Sequence, residues 1–418
     1  MPLNKKIINK ELSFSLFLIL FILNLGTAGI SNFELKYFIL KAAVSVTLVA
    51  SIIIFIINSK INLKNYFSSS LLKRTLLIIT LIIVYSSLTL LYSNNPAYGG
   101  LKILNFAICS VPAAIGAYVL INIEWNKKLF INTLIIISVI IIAALAGVLL
   151  VKPFEHSTVY VFEAGRWSHV FIGRLISFLT LILFLILLNS KRKVIISITL
   201  VITAGLFLLY LTGLRSALLG FTLAALISLI YYILTGRLNS IHYSAVFAIL
   251  LLSAILIYTA NSLLLPEEIK TPVRIENMLK FENMDFGGEE AIQSRIRSFE
   301  LAWEMFKNSP VTGNGFGSFC GYNNSRWAAT QKYPHNIILE ILAELGIVGL
   351  VFFGYIFFLI IRSIFNFHHS SFNRSPFNQS PFPLLILLLF SLWLAMFSKD
   401  FSSQSFLWMF LAAAASRQ

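Results

Sequence analysis

The sequence predicts an all-α polytopic membrane protein, and three observations carry that reading. Of 418 residues, 58% are hydrophobic and only 12% charged, which leaves too little polar surface to enclose a soluble globule. The mean hydropathy of +0.86 says the same. The apolar residues also gather in runs close to the 20 or so that a helix needs to cross a hydrocarbon core about 30 Å thick. Lipid offers no partner to an unpaired amide, so such runs must be helical.

About twelve runs qualify, near 12–31, 38–58, 75–92, 103–123, 129–151, 170–189, 195–212, 216–235, 245–265, 337–361, 383–397 and 405–416. The last two are short and read equally well as one broken helix, which gives eleven. The first follows Lys5, Lys6 and Lys10 but has no small-residue cleavage site, so it is read as retained. Residues 361–382 are polar and proline-bearing, as a connecting loop is. The chain thus divides into a bundle of about nine spans at 1–265, a long loop domain at 266–336, and the last spans at 337–418. The two cysteines, Cys109 in an apolar run and Cys320 in a polar loop, have neither metal nor redox spacing.

Orientation follows from basic residues in short connections, because Lys and Arg flanking a span stay cytoplasmic. With the N-terminus inside, sixteen fall on the inner side: Lys5, Lys6, Lys10, Lys60, Lys64, Lys73, Arg74, Lys127, Lys128, Lys191, Arg192, Lys193, Arg237, Arg362, Arg374 and Arg417. Eight fall on short outer connections: Lys36, Lys41, Lys102, Lys152, Arg166, Arg174, Arg215 and Lys399. The bias puts both termini in the cytoplasm and residues 266–336 outside. Of the net charge of +15, the inner share is a topology signal with affinity for anionic headgroups. The outer arginines, Arg166, Arg174, Arg215, Arg274, Arg295, Arg297 and Arg326, are not needed for topology. A guanidinium fork grips phosphate oxygens bidentately, so these residues point to an anionic, phosphorylated ligand. No nucleic-acid-binding module accompanies them.

Three motifs sharpen the picture. In "LYLTGLRSALLGF", 209–221, Arg215 stands at the outer mouth of a tight helical hairpin, where an anchoring arginine and a functional one are both expected. In "SRIRSFELAWEMFKNSPVTGNGFGSF", 294–319, Ile296, Phe299, Trp303 and Phe306 recur at helical spacing, with Arg295 at the first turn, where free amides favour anions. The glycines that follow, Gly313, Gly315 and Gly317, suit a flexible loop about as well as a phosphate cradle. In "QKYPHNIILEILAELGIVGL", 331–350, Pro334 holds Tyr333 out of the helical region. Asn336 caps the helix that starts at Ile337, and Glu340 and Glu344 share a face four residues apart. Gly346 and Gly349 would allow close helix approach. His335, beside several arginines and one turn from Glu340, reads as a general base. Glu340 reads equally as its orienting partner and as a structural glutamate.

These three motifs in this order, with the long loop between the ninth and tenth spans, resemble the O-antigen ligase and polymerase family of bacterial inner-membrane glycosyltransferases. Residues 209–350 carry the resemblance. The family's helix-end arginine falls on Arg215, its loop arginine on Arg295, and its histidine on His335 with Asn336 following. Phe299 stands where relatives carry Trp or Tyr, and Leu214 where many have a hydroxyl residue. The resemblance implies a GT-C-like fold, multi-pass in the bacterial inner membrane with its site facing the periplasm, and transfer without metal or cofactor. The donor would be an undecaprenyl-diphosphate-linked glycan, and the acceptor the lipid A core for a ligase or a second lipid-linked glycan for a polymerase. A polymerase would also have a chain-length regulator as partner.

On that reading His335, Arg215 and Arg295 are the catalytic candidates, and Arg166, Arg174, Arg297, Asn336 and Glu340 bind substrate. No Asp-x-Asp-like metal pair lies in the outer loop, so the arginines would carry the electrostatics of the departing diphosphate. Chain length and the single late outer loop favour the ligase slightly, although both also suit polymerases. Transfer to a protein such as pilin has no extra domain to support it. A carrier-lipid flippase would place its charges along a cavity between spans, whereas the basic residues other than Arg174 and Arg215 are read as avoiding span interiors.

Overall fold

A computed structural model describes residues 5–27, 35–58, 70–122, 132–133, 135–144, 169–190, 192–212, 214–259, 290–322, 332–366, 382–397 and 400–415. Among the described residues there is no strand. In chain order the helices are α1 (Lys5–Thr27), α2 (Leu35–Asn58), α3 (Ser70–Thr89), α4 (Pro96–Asn105), α5 (Val111–Asn122), α6 (Ile135–Ala144), α7 (His169–Leu187), α8 (Arg192–Leu211), α9 (Arg215–Leu234), α10 (Ser240–Thr259), α11 (Glu290–Asn308), α12 (Ile337–Asn366), α13 (Phe382–Ala395) and α14 (Ser405–Ala415). A π-helical turn, Phe106–Ser110, joins α4 to α5.

The protein is a helical membrane protein. Six stretches are long and apolar enough to cross a bilayer: Phe38–Asn58, Pro96–Leu120, Val194–Leu211, Arg215–Leu234, Ser240–Thr259 and Ile337–Arg362. Five shorter apolar helices, Glu11–Asn24, Leu76–Tyr92, Ile135–Ala144, Ile172–Leu187 and Phe382–Ala395, occupy other runs read from the sequence. Six stretches therefore have full span length among the described residues.

The chain forms two compact units. The first comprises residues 1–28, 32–126 and 291–418. In it α1 packs on α2 through Phe14, Phe17, Phe21 and Phe55, with the Phe17 and Phe55 rings stacked at 5.9 Å. A second aromatic nucleus centres on Phe401, whose ring lies 5.1 Å from Trp408, 5.8 Å from Phe106, 6.0 Å from Phe316 and 6.3 Å from Phe353. Four separate segments meet there, so the C-terminal helix is bound into the core of this unit.

Helix α12 is broken at Gly346, where φ is 66° and ψ −162°. A break exposes orphan amides and carbonyls that lipid cannot satisfy, and the loop after α11 satisfies them. Ile347 N donates to Pro310 O (2.9 Å) and Val348 N to Val311 O (3.2 Å). Asn314 N and Gly315 N donate to the carbonyls of Ala343 (3.0 Å) and Glu344 (2.9 Å). Gly346 therefore does not serve close helix approach, as the sequence suggested; it serves this stitch.

The second unit comprises residues 29–31 and 127–290. Here α7 packs on α8 and α9, and α10 packs on α8. Next to the end of α7, the ring of His242 joins α10 to the chain end of α7, with Nε2 3.2 Å from Ser190 O.

Candidate functional site

The two described site residues of the second unit, Arg174 and Arg215, belong to segments that meet at one helical corner. Thr212–Leu214 turns the chain between α8 and α9, with Gly213 outside the described residues. Leu214 N donates to Thr212 Oγ1 (3.4 Å), and Leu214 O accepts Ala217 N (3.1 Å), which starts α9. Arg215 is the first residue of that helix and is exposed, as the hairpin reading expects. Gly173 of α7 packs on this corner so closely that a Cβ there would lie 2.8 Å from Leu214 Cδ2 and 3.0 Å from Thr212 Oγ1. The next residue, Arg174, is buried within α7. Arg166 lies outside the described residues.

In the first unit, His335 stands at the mouth of α12 with φ of 60°, the left-handed region. A non-glycine residue rarely adopts it, and the strain costs on the order of 1–3 kcal/mol when surrounding structure imposes it. Two of its neighbours make defined contacts. The Tyr333 ring meets the imidazole edge-on at 4.6 Å. Asn336 Oδ1 accepts from Ile338 N (3.0 Å) and Leu339 N (3.1 Å), the N-cap expected from the sequence. The Asn336 side chain is thus engaged in positioning the helix start.

Helix α11 carries Arg295 and Arg297, both exposed and without hydrogen bond or ion pair among the described residues. It begins at or before Glu290, so Arg295 sits beyond the first turn and away from the free amides there. The face buried against the rest of the unit is also different from the expected one. Ala302 and Met305 pack with Phe319, Tyr322 and Ala343, and Leu339 joins them. Ile296 and Trp303 face outward, Trp303 being 49% exposed. Because Leu339 and Ala343 belong to α12, this cluster holds the arginine-bearing helix directly on the helix that His335 opens.

The glycine run is no phosphate cradle, because its amides are already used inside the protein. Phe316 N donates to Thr89 Oγ1 (3.0 Å), Gly317 N to Glu344 Oε2 (2.9 Å) and Phe319 N to Glu344 Oε1 (3.4 Å). A Cβ at residue 315 would lie 2.6 Å from Ser93 Cα, so the small residues let the loop press against other backbone.

Glu340 does not orient the imidazole. Its Oε1 accepts from Lys102 Nζ at 2.5 Å and its Oε2 from Phe401 N at 2.9 Å. Lys102 also reaches Glu344 Oε2 at 2.6 Å, and all three side chains are buried. This ion cluster was missed in the sequence, where Lys102 read as a loop charge. Lys41 was misread likewise: it is buried in α2 and donates to Asn105 Oδ1 at 3.0 Å. Basic residues therefore do occupy helix interiors, held by partners from within the protein. Among the described residues no three His, Cys, Asp or Glu side chains come together as metal ligands would.

A helical membrane protein with a strained histidine at one helix mouth and arginines at exposed helical positions is the class this geometry defines. Residues 200–354 match the family described as O-antigen ligase, a stretch that contains Arg215, Arg295 and His335 and all three motifs. The resemblance read from those motifs agrees with this match, which makes the stretch similar to that family. A Rickettsia felis protein whose name proposes it as a polysaccharide ligase is 31% identical over 83 residues. That match covers 16% of this chain and 20% of the relative.

Proposed function

We propose that this protein transfers a glycan from undecaprenyl diphosphate to a sugar hydroxyl of the lipid A core at the periplasmic face of the inner membrane. The observation that carries the reading is His335, in a strained backbone state at the start of α12 between a ring contact from Tyr333 and the Asn336 cap, inside the O-antigen ligase match. Strained non-glycine residues concentrate at active sites, where fixed geometry is worth its cost.

In this reading the acceptor oxygen forms the new bond to the anomeric carbon. The bond from that carbon to the diphosphate breaks, with its electron pair leaving on the phosphate oxygen. His335 takes the proton of the hydroxyl, as an imidazole near neutral pH suits. Arg295, exposed and without an internal partner among the described residues, is proposed to neutralise the departing diphosphate, with Arg297 contacting the donor. Arg215, at the exposed start of α9, is proposed to bind phosphate oxygens through its guanidinium fork. Arg166 and Arg174 are proposed to contact the donor as well. No metal or cofactor takes part in this scheme. The basic bias supports cytoplasmic termini and an outer 266–336 segment.

The name of the R. felis relative favours a ligase over a polymerase. The lipopolysaccharide of a deletion strain separates them. Carrier-linked polymer with naked core is the ligase outcome, while core bearing a single repeat unit would make the protein a polymerase working on a second lipid-linked glycan.

A further inference from the structure

We infer that Glu344, together with Lys102, is a positioning residue that sets the loop after α11 on the mouth of α12, and with it the placement of Arg295 relative to His335. Four elements converge on these buried side chains. Lys102 comes from α4, and Glu340 and Glu344 from the first two turns of α12. Glu344 accepts the amides of Gly317 and Phe319 from the loop, and Glu340 accepts Phe401 N from the turn before α14. The Phe316 ring closes over Lys102, with Nζ 4.4 Å from its centroid.

The loop so held is the direct continuation of α11. Phe319 and Tyr322 from it pack on Ala302 and Met305, and Asn308 Nδ2 donates to Tyr322 Oη at 2.9 Å. Glu344 thus sits about two turns into the helix that His335 opens, while holding the loop that fixes the Arg295 helix. Charge balance separates its role from that of its neighbours. Removing Lys102 strands two buried carboxylates, which breaks such clusters. Removing Glu344 leaves a neutral Lys102–Glu340 pair, so the loss falls on the two loop amides.

The catalytic consequence rests on the transfer proposed above; the geometric one does not. The test uses the full chain in nanodiscs, with Cys109 and Cys320 replaced by serine and nitroxide labels at Glu304→Cys and Lys332→Cys. Distances between the labels are read by pulsed electron resonance, and transfer of carrier-linked glycan is followed in unlabelled protein. We expect Glu344→Ala to broaden a narrow distance distribution and to lower kcat by tenfold or more with KM within about twofold. Glu344→Gln keeps one oxygen for Gly317 N and Lys102 Nζ, the two shorter contacts, and gives up only the 3.4 Å one from Phe319 N, so it restores most of both. An unchanged distribution in Glu344→Ala overturns the inference, as does broadening with unchanged kcat. If Glu344→Ala does not insert, failure of Glu344→Gln to keep the narrow distribution overturns it as well. Absence of transfer by the parent protein, with the distance result as expected, would count against the proposed activity and not against the positioning role.

Discussion

Gly346→Ala should be among the most damaging single-methyl changes in the protein, and its cost can be built from the structure. The backbone there, φ 66° and ψ −162°, lies in a region open essentially to glycine alone, so an L side chain costs about 1–3 kcal/mol in strain. The added Cβ would also fall on the carbonyl oxygen of Val311 and 2.6 Å from Gly313 N. Backbone must move, and the two hydrogen bonds from Ile347 N and Val348 N to the loop carbonyls go with it. At about 0.5–1.5 kcal/mol each, these bring the total to roughly 2–6 kcal/mol. Gly354→Ala is the control: it lies on the same helix with nothing within 4 Å of its Cβ, and the change should stay within about 1 kcal/mol. Thermal unfolding of both purified variants reads the difference. A midpoint for Gly346→Ala equal to that of the parent would refute the stitched-break account of α12.

Lysine at Arg215 or at Arg295 should lose much of the transfer activity at normal expression, because an ammonium cannot reproduce a bidentate fork; full activity in both would reduce these residues to anchors. Burial pushes the Cys320 thiol above the ordinary cysteine range, with nearby Lys332 acting in the opposite direction. In a Cys109→Ala background its alkylation should therefore be slower than that of a free thiol at neutral pH and should rise as pH increases through its raised value; a rate matching free cysteine at pH 7 would contradict that burial. Reporter fusions after residue 192 and at residue 370 should read cytoplasmic, and one at residue 285 periplasmic. A cytoplasmic signal at 285 would invert the proposed topology.

What the sequence revealed was local. The Asn336 cap, the start of a helix at Arg215 and the positions of most apolar runs follow from neighbours a few residues apart, and the structure has them. What it concealed depends on partners far along the chain. Lys102 meets Glu340 across 238 positions and Glu344 across 242, so a charge that looked like a loop signal is an internal tie. The same distance hid the role of Gly313, Gly315 and Gly317, whose loop fits against α3, α4 and α12. In α11 the large apolar residues suggested the buried face, yet the smaller Ala302 and Met305 fill it and Trp303 remains outside.

The most direct test of the central claim is transfer in vitro by purified His335→Ala protein, with carrier-linked glycan as donor and lipid A core as acceptor, across a pH series. Loss of a positioned base costs about a hundred- to ten-thousand-fold in rate. That exceeds what a lost boundary hydrogen bond of about 0.5–1.5 kcal/mol would do. The account predicts a loss of that size in a protein that still inserts and expresses, with the pH dependence of the parent abolished. Transfer retained by His335→Ala with an unchanged pH profile would contradict it, and would leave the arginines to activate the leaving group without a protein base.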